Sequence, residues 1–293
     1  VSPVALGYPA IYKGASALSE AAQKAYLRLL RSEYGLLIFA AGLAMVPEPP
    51  PLLQSAQTLI FIALAALLIY RAKVKPEQDW YRGRALAESI KTSTWRYCMR
   101  AAPFEEADHV RIRRAEFRNH LREILAANRH IGDRMPPESA ADDQITAEMD
   151  AIRALPFFER RQYYLECRIK EQRIWYTRKA GANKRASEKW VAACTVTYGI
   201  AIILLVIRPI VPEWTIWPFE PLIVIAASII GWMQIKKFNE LTSAYTLTAH
   251  EIGIIQGRLD DADSEHELSE FVNEAELAFS REHTQWVARQ NAL

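Results

Sequence analysis

Residues able to do chemistry are sparse in this chain, and their spacing argues against a catalytic centre. The six histidines, at positions 109, 120, 130, 250, 266 and 283, make no metal-ligand spacing. No phosphate-cradling glycine loop, HExxH helix, CxxC pair or nucleophile elbow is present. An enzyme is therefore not expected, nor is a cofactor or a metal. What remains is small polar residues set in apolar runs. Ser55 and Thr58, Thr195 and Gly199, and Ser228, Gly231 and Gln234 occupy three such runs. They could line an aqueous pore through a bilayer, because channels conduct past backbone and small polar groups and can close at apolar constrictions that dewet. The competing reading is helix packing, which small residues such as Gly35, Gly42 and Gly231 also serve. The cores of the runs hold no Asp, Glu, Lys, Arg or His. That counts against ion-coupled transport, which needs such a group near the midplane, but not against a pore.

A second set of residues is charged and aromatic. Trp80, Arg84, Glu88, Lys91 and Trp95 follow one another at steps of four, four, three and four, which stacks them on one helical stripe where Arg84, Glu88 and Lys91 can pair in sequence. Further on, Val272, Glu276, Phe279, His283 and Trp286 share a face at similar steps, and Glu251 stands in AHEIG at 249–253. These residues either pack a stalk and a helical core, with one buried charge pair on the Glu276 face, or sit at a subunit interface or a cytoplasmic vestibule that transmits gating.

The elements that position both sets are unusual in being strongly segregated. Trp190–Ile207 (WVAACTVTYGIAIILLVI) contains no charge, and after a short loop Leu222–Ile235 (LIVIAASIIGWMQI) continues to Lys236 and Lys237. A spanning helix needs about 20 apolar residues to cross about 30 Å. The first run nearly suffices, and the second needs part of the Trp214–Pro221 lead-in, giving an arm of about 216–235. The same unit occurs earlier as Tyr34–Val46, the turn PEPPP at 47–51, and Leu52–Tyr70. Tyr34–Val46 is short, at roughly 20 Å, and spans only if Leu29 and Leu30 enter the membrane while Arg31 and Glu33 snorkel or pair. The expectation is an all-helical integral membrane protein with four spanning segments in two hairpins.

Mean hydropathy, −0.08, conceals this segregation. The 36 basic and 34 acidic side chains leave a net charge of +2, so the chain is not a polycationic nucleic-acid binder, and no base-stacking module is visible. Arg28 and Arg31, then Arg71, Lys73 and Lys75, then Lys184, Arg185 and Lys189, then Lys236 and Lys237 flank the arms on one side. The turns hold only Glu48, or Arg208, Glu213 and Glu220. The positive-inside rule then places both termini and the middle in the cytoplasm. Cys98, Cys167 and Cys194 are read as ordinary thiols in the cytoplasm or a membrane helix, where disulfides are not expected. Residues 1–15 read as a short cytoplasmic tail without a cleavable signal.

Outside the membrane the pattern is helical throughout. Ala17–Arg31 runs into the first arm, and a second helix covers about Asp79–Ala101. The charged segment Pro103–Arg134 has Val110, Phe117, Leu121, Ile124 and Leu125 at helical spacing. MPPESAADD at 135–143 reads as a linker, extended to 156, between units 1–134 and 157–293. From Phe157 to Ile207 there is no proline, so one helix of about 75 Å is expected. Its weak point is Gly181, and its loose seam runs along Phe158, Leu165, Ile169 and Tyr176. The halves correspond as helix, hairpin, helix, which makes duplication of a two-pass unit plausible.

WYRGRALAESIKTSTWRY at 80–97, LPFFERRQYYLECRIKEQRIWYTRKAGANK at 155–184 and FVNEAELAFSREHTQW at 271–286 resemble the SLATT family in its tandem form. These are bacterial two-pass effector domains linked to nucleotide second-messenger and SLOG-domain conflict systems. The resemblance implies an oligomerising effector of the inner membrane that forms a pore or disrupts the bilayer when a partner sensor or a nucleotide signal acts. The partners it implies are lipid, further copies of the chain and a cytoplasmic sensor. The alternative is a non-conducting membrane scaffold that anchors or clusters that sensor.

Overall fold

Helix formation is favoured along most of this chain by long runs of Ala, Leu, Glu, Arg and Lys with few internal prolines, and several prolines mark helix starts. A computed structural model describes residues 5–105 and 109–291, and every regular element among them is helical. In chain order these are α1 Ala10–Leu43, α2 Pro51–Val74, α3 Pro76–Cys98, α4 Val110–Ala127, α5 Arg129–Gly132, α6 Ala147–Ala154, α7 Phe157–Tyr164, α8 Glu171–Ile207, α9 Phe219–Lys236, α10 Phe238–Asp260 and α11 Glu265–Asn291. A short 3-10 turn covers Pro137–Ala141. Pro51 opens α2 and Pro76 opens α3, where a missing N–H costs nothing. Ser264 and Glu267 form a reciprocal capping box at the start of α11: Glu267 N–H donates to the Ser264 hydroxyl, and Ser264 N–H to the Glu267 carboxylate, at 3.2 and 3.1 Å.

Two junctions share one device. Between α2 and α3, Lys75 sits in the left-handed region at φ 49°, its N–H returning to the Arg71 carbonyl. Between α9 and α10, Lys237 does the same at φ 48°, with its N–H on the Met233 carbonyl. A left-handed cap on a non-glycine residue costs roughly 1–2 kcal/mol. Its recurrence at corresponding places of the two halves is structural support for a repeated unit.

The described helices divide between two compact units that cut across the sequence halves. One contains Val1–Gln23, Glu77–Arg178 and Ala244–Leu293, and the other Lys24–Pro76 and Lys179–Ser243. The first has a conventional packed core. Leu86, Ile90, Trp95, Tyr97, Phe117, Met149, Ile152, Tyr164 and Ile169 are all essentially inaccessible to solvent. Tyr97, Phe104 and Phe117 meet with ring centroids 4.6 to 6.0 Å apart. Gly83 brings α3 onto α1, since a Cβ there would lie 3.1 Å from both the Ala15 carbonyl oxygen and the Ser19 nitrogen.

The second unit is built differently. A small cluster of Cys194, Ala226 and Ile229, with Trp190, Ala193, Ile225 and Met233 against it, joins α8 to α9. Glu33 and Arg71 join α1 to α2 through an ion pair of 2.7 Å. The remaining apolar surface is open, with Leu52, Leu59, Ile62, Val196, Ile203, Val206 and Ile223 more than half exposed. Among the described residues three stretches are long and apolar enough to cross a membrane. They lie within Pro51–Cys98, Phe157–Ile207 and Phe219–Leu259, with mean hydropathies of 2.1, 2.3 and 1.3 and only 0%, 6% and 11% of their apolar windows buried. The apolar end of α1 stops at Leu43, so from Tyr34 it covers only about 15 Å.

Several sequence expectations change. The long helix from Phe157 is continuous to Ile207 in the sense of the chain path, but its irregularity is a π-helical turn at Leu165–Lys170 and not Gly181, which lies inside α8. Phe158 is 65% exposed, so the seam expected along it begins only at Leu165. The stretch expected as a linker contains α6, with Met149, Ile152 and Arg153 buried. The supposed tail docks on that stretch: Ala10 N–H donates to the Asp143 carbonyl at 3.1 Å, Thr146 Oγ1 to the Gly7 carbonyl at 3.0 Å, and Lys13 pairs with Asp142 at 2.7 Å.

Because the space at Gly83 is closed by backbone that cannot swing aside, Gly83→Leu should cost about 1–3 kcal/mol of overpacking and lower the thermal midpoint of the detergent-solubilised protein. Gly132→Ala, where no heavy atom lies within 4 Å of the new Cβ, should leave the midpoint nearly unchanged.

Candidate functional site

The most organised polar arrangement among the described residues is a buried ionic clamp in the first unit. Glu276 on α11 is fully buried, and Arg168 in the π-helical turn is 1% exposed. The guanidinium grips the carboxylate with both arms, Nε to Oε1 at 2.7 Å and Nη2 to Oε2 at 2.6 Å, the geometry that suits Arg to planar anions. Tyr164, one turn earlier, donates its hydroxyl to the same Oε1 at 3.0 Å. Aromatic rings enclose the pair. The guanidinium carbon lies 4.8 Å from the Phe279 centroid and 5.8 Å from that of Trp95, and Trp95 donates its indole N–H to the Tyr8 hydroxyl at 3.0 Å. Burial pushes the Tyr8 phenol well above its ordinary pKa, against the opposing pull of Arg168, so Tyr8 stays a neutral hydroxyl.

Two further buried arginines tie backbone together nearby. Arg153 donates to the carbonyls of Tyr97, Phe104 and Glu105, the last two at 2.8 and 3.2 Å. Burial lowers its pKa to about 10, which leaves it charged at neutral pH. Arg160, also fully buried, holds the Leu155 carbonyl at 2.9 Å and pairs with Glu265. These three arginines join α3, α6, α7 and α11 without presenting a reactive group to solvent. Their chemistry is that of a lock between helices.

A cavity of about 510 Å³ opens between α8 and α10, lined by Lys170, Arg173, Ile174, Thr177, Arg178 and Gln256. Gly253 leaves room for the Arg173 guanidinium, whose Cζ would be 3.3 Å from a Cβ there, and Gln256 accepts from Arg173 at 3.3 Å.

The membrane-run candidates separate into two groups. Ser55, Thr58, Thr195 and Gln234 are exposed. The first three hydroxyls each donate to a carbonyl four residues back, on Pro51, Gln54 and Val191, at 2.9 Å, so they are satisfied within their own helices. Gly199 is half-buried with nothing within 4 Å of a Cβ. Ser228 is buried, and Gly231 lies under Tyr34, whose hydroxyl would be 2.7 Å from a Cβ at 231. Gly231 therefore makes the close helix contact that was weighed against pore lining.

In the stripe on α3, Trp95 is in the core, and Trp80, Arg84, Glu88 and Lys91 are half-buried. Lys91 and Glu88 are 3.9 Å apart, and Trp80 stacks on Tyr81 at 4.7 Å. Glu251 is exposed and does not join the clamp. The side chains of His283 and Trp286 lie outside the described residues. Sequence reasoning placed Glu276 in a buried charge pair but did not name Arg168, Tyr164 or Tyr8. A glutamate among Val272, Ala275 and Phe279 was a visible signal of burial, whereas its partner was one of many basic residues.

Apolar helices open to their surroundings, continuous with helices that pack a charged unit, define a helical membrane protein whose two sequence halves are similar. Models of that class match nearly the whole chain: SMODS and SLOG-associating 2TM effector domain 3 over residues 9–161, and SMODS and SLOG-associating 2TM effector domain 1 over residues 164–286. The chain belongs to the SLATT family, as a tandem of two such domains. No curated protein and no solved structure matched it.

The clamp makes a direct prediction. Arg168→Met or Glu276→Leu alone leaves one buried charge unpaired and should destabilise the protein by about 3–5 kcal/mol. The double variant should recover most of that loss, because the desolvation cost disappears with the charges. Thermal melting of the four proteins in one detergent checks this, and a double variant no better than the singles would contradict it.

Proposed function

We propose that the chain is the subunit of an oligomeric membrane pore or ion channel, an effector of a bacterial conflict system that sits in the inner membrane and is gated from its cytoplasmic unit. The observation that carries this reading is the absence of burial along the apolar windows, 0% in the first and 6% in the second. Such surface needs lipid or further copies of the chain to cover it. Four spans in two hairpins, with both termini cytoplasmic, agree with the basic residues at one end of each arm. The short apolar end of α1 is aided by the Glu33–Arg71 pair, which removes the cost of carrying either charge alone into the headgroup region.

Gating in this reading uses the ionic clamp as its two-state element: a sensor protein or a nucleotide signal acting on the cytoplasmic helices changes their packing, and apolar constrictions in the arms wet. A non-conducting scaffold would share the membrane arms but need no lumen.

Ion flux through liposomes holding the purified full-length protein tests the choice. Thr58→Glu and Thr195→Glu place a negative charge at exposed polar positions, and in a pore they should move the reversal potential toward that of cations while expression and oligomeric mass stay unchanged. Conductance indifferent to both substitutions would remove these residues from the lumen, and the absence of current under every trigger tried would favour the scaffold.

A further inference from the structure

In the second unit, two cations from different helices meet at one tryptophan. Arg31 of α1 has its guanidinium carbon 5.3 Å from the Trp232 ring centroid, and Lys236 of α9 has its ammonium 5.8 Å from the same centroid. Lys179 of α8 lies within electrostatic reach of Lys236. Neither Arg31 nor Lys236 makes an ion pair among the described residues. The nearest acid in sequence to Arg31 that is committed elsewhere is Glu33, which holds Arg71. Trp190 packs beside Trp232 at 6.4 Å, and the Tyr34 hydroxyl lies against Gly231.

Like charges gathered at this spacing repel, and the indole offsets only a part of it, of order 1 kcal/mol per cation. An anion would complete the arrangement. The surrounding surface says which kind. The site stands where the apolar stretch of α9 ends in Lys236 and Lys237, with indole rings at the boundary, the composition that marks the headgroup level of a bilayer. A ligand there must have a negative head for Arg31 and Lys236 and an apolar body for the exposed faces of α8 and α9, including Val191 and Ile230.

We propose that Arg31 and Lys236, on the Trp232 platform, form a binding site for the phosphate of an anionic phospholipid, joining α1 to α9 through the lipid headgroup. The inference rests on the membrane placement of the arms and is independent of conduction. Its role would be to strengthen the contact between two helices that also meet where Tyr34 packs on Gly231 and Arg31 lies over Trp232.

Native mass spectrometry of the full-length protein, titrated in detergent with phosphatidylglycerol or phosphatidylcholine of the same acyl chains, tests it. The wild type should retain phosphatidylglycerol in preference by roughly tenfold or more, as expected for two basic side chains near one phosphate. Arg31→Gln should abolish most of that preference; Arg31 is exposed, so the substitution leaves the packing intact. Lys236→Gln should act in the same direction, while Lys73→Gln, an exposed basic residue beyond α2's apolar stretch, should not. Equal loss in the Lys73 variant would show general attraction of anionic lipid and overturn the site, as would unchanged preference in Arg31→Gln. Displacement of the lipid by millimolar inorganic phosphate would assign the cations to a free anion and also overturn the proposal. None of these outcomes depends on whether the liposomes conduct, so failure here is distinguishable from failure of the pore.

Discussion

Apolar side chains dominate the surface of the long arms of α2, α8 and α9, and exposing them to water costs about 25 cal/mol per Å². A globule would solve this by burying the arms in its own core. Here most of the core is elsewhere, among charged and aromatic helices, and the arms add the small Cys194, Ala226 and Ile229 cluster and single buried residues such as Ile60 and Ser228. The rest of the architecture follows from this constraint. The helices must satisfy all their backbone groups internally across the apolar stretch, so they are long and unbroken, and the hydroxyls within them bond to their own carbonyls. Charges collect where the apolar stretches stop.

The charged unit depends on a different kind of contact. Three arginines are buried in it, and each is accommodated by partners that fit its geometry: a carboxylate for Arg168, backbone carbonyls for Arg153, and one of each for Arg160. Buried ion pairs add little net stability compared with apolar packing, but they strongly disfavour any arrangement that separates the partners.

Repetition in the sequence and compactness in space follow different boundaries. Family matches divide the chain near residue 162, into one two-pass domain after another, and the left-handed lysine caps at 75 and 237 recur at the same place in each. The compact units instead collect the polar helices of both halves in one body and the apolar arms of both in the other. Like solvent requirements, not adjacency in the chain, sorted the helices.

The helical class and three of the apolar stretches were legible in the amino-acid sequence, because hydropathy and proline placement act locally. Leu52–Tyr70 lies within α2, and the run from Trp190 ends with α8 at Ile207. The burial of Glu276 was legible too, since a lone carboxylate on an otherwise apolar helix face must be paired. The identity of its partner was not: Arg168 is 108 residues away and is singled out from 35 other basic residues only by the π-helical turn that sets its direction. The docking of residues 7–13 on the segment around 142–146 was likewise invisible, because backbone hydrogen bonds leave no mark on composition. Gly231 read more readily as packing than as pore lining, and only the structure shows which side chain, Tyr34, packs on it. Local chemistry decided which segments leave water, and only tertiary contact decided which side chains meet, because those meetings depend on distances between helices that no periodicity encodes.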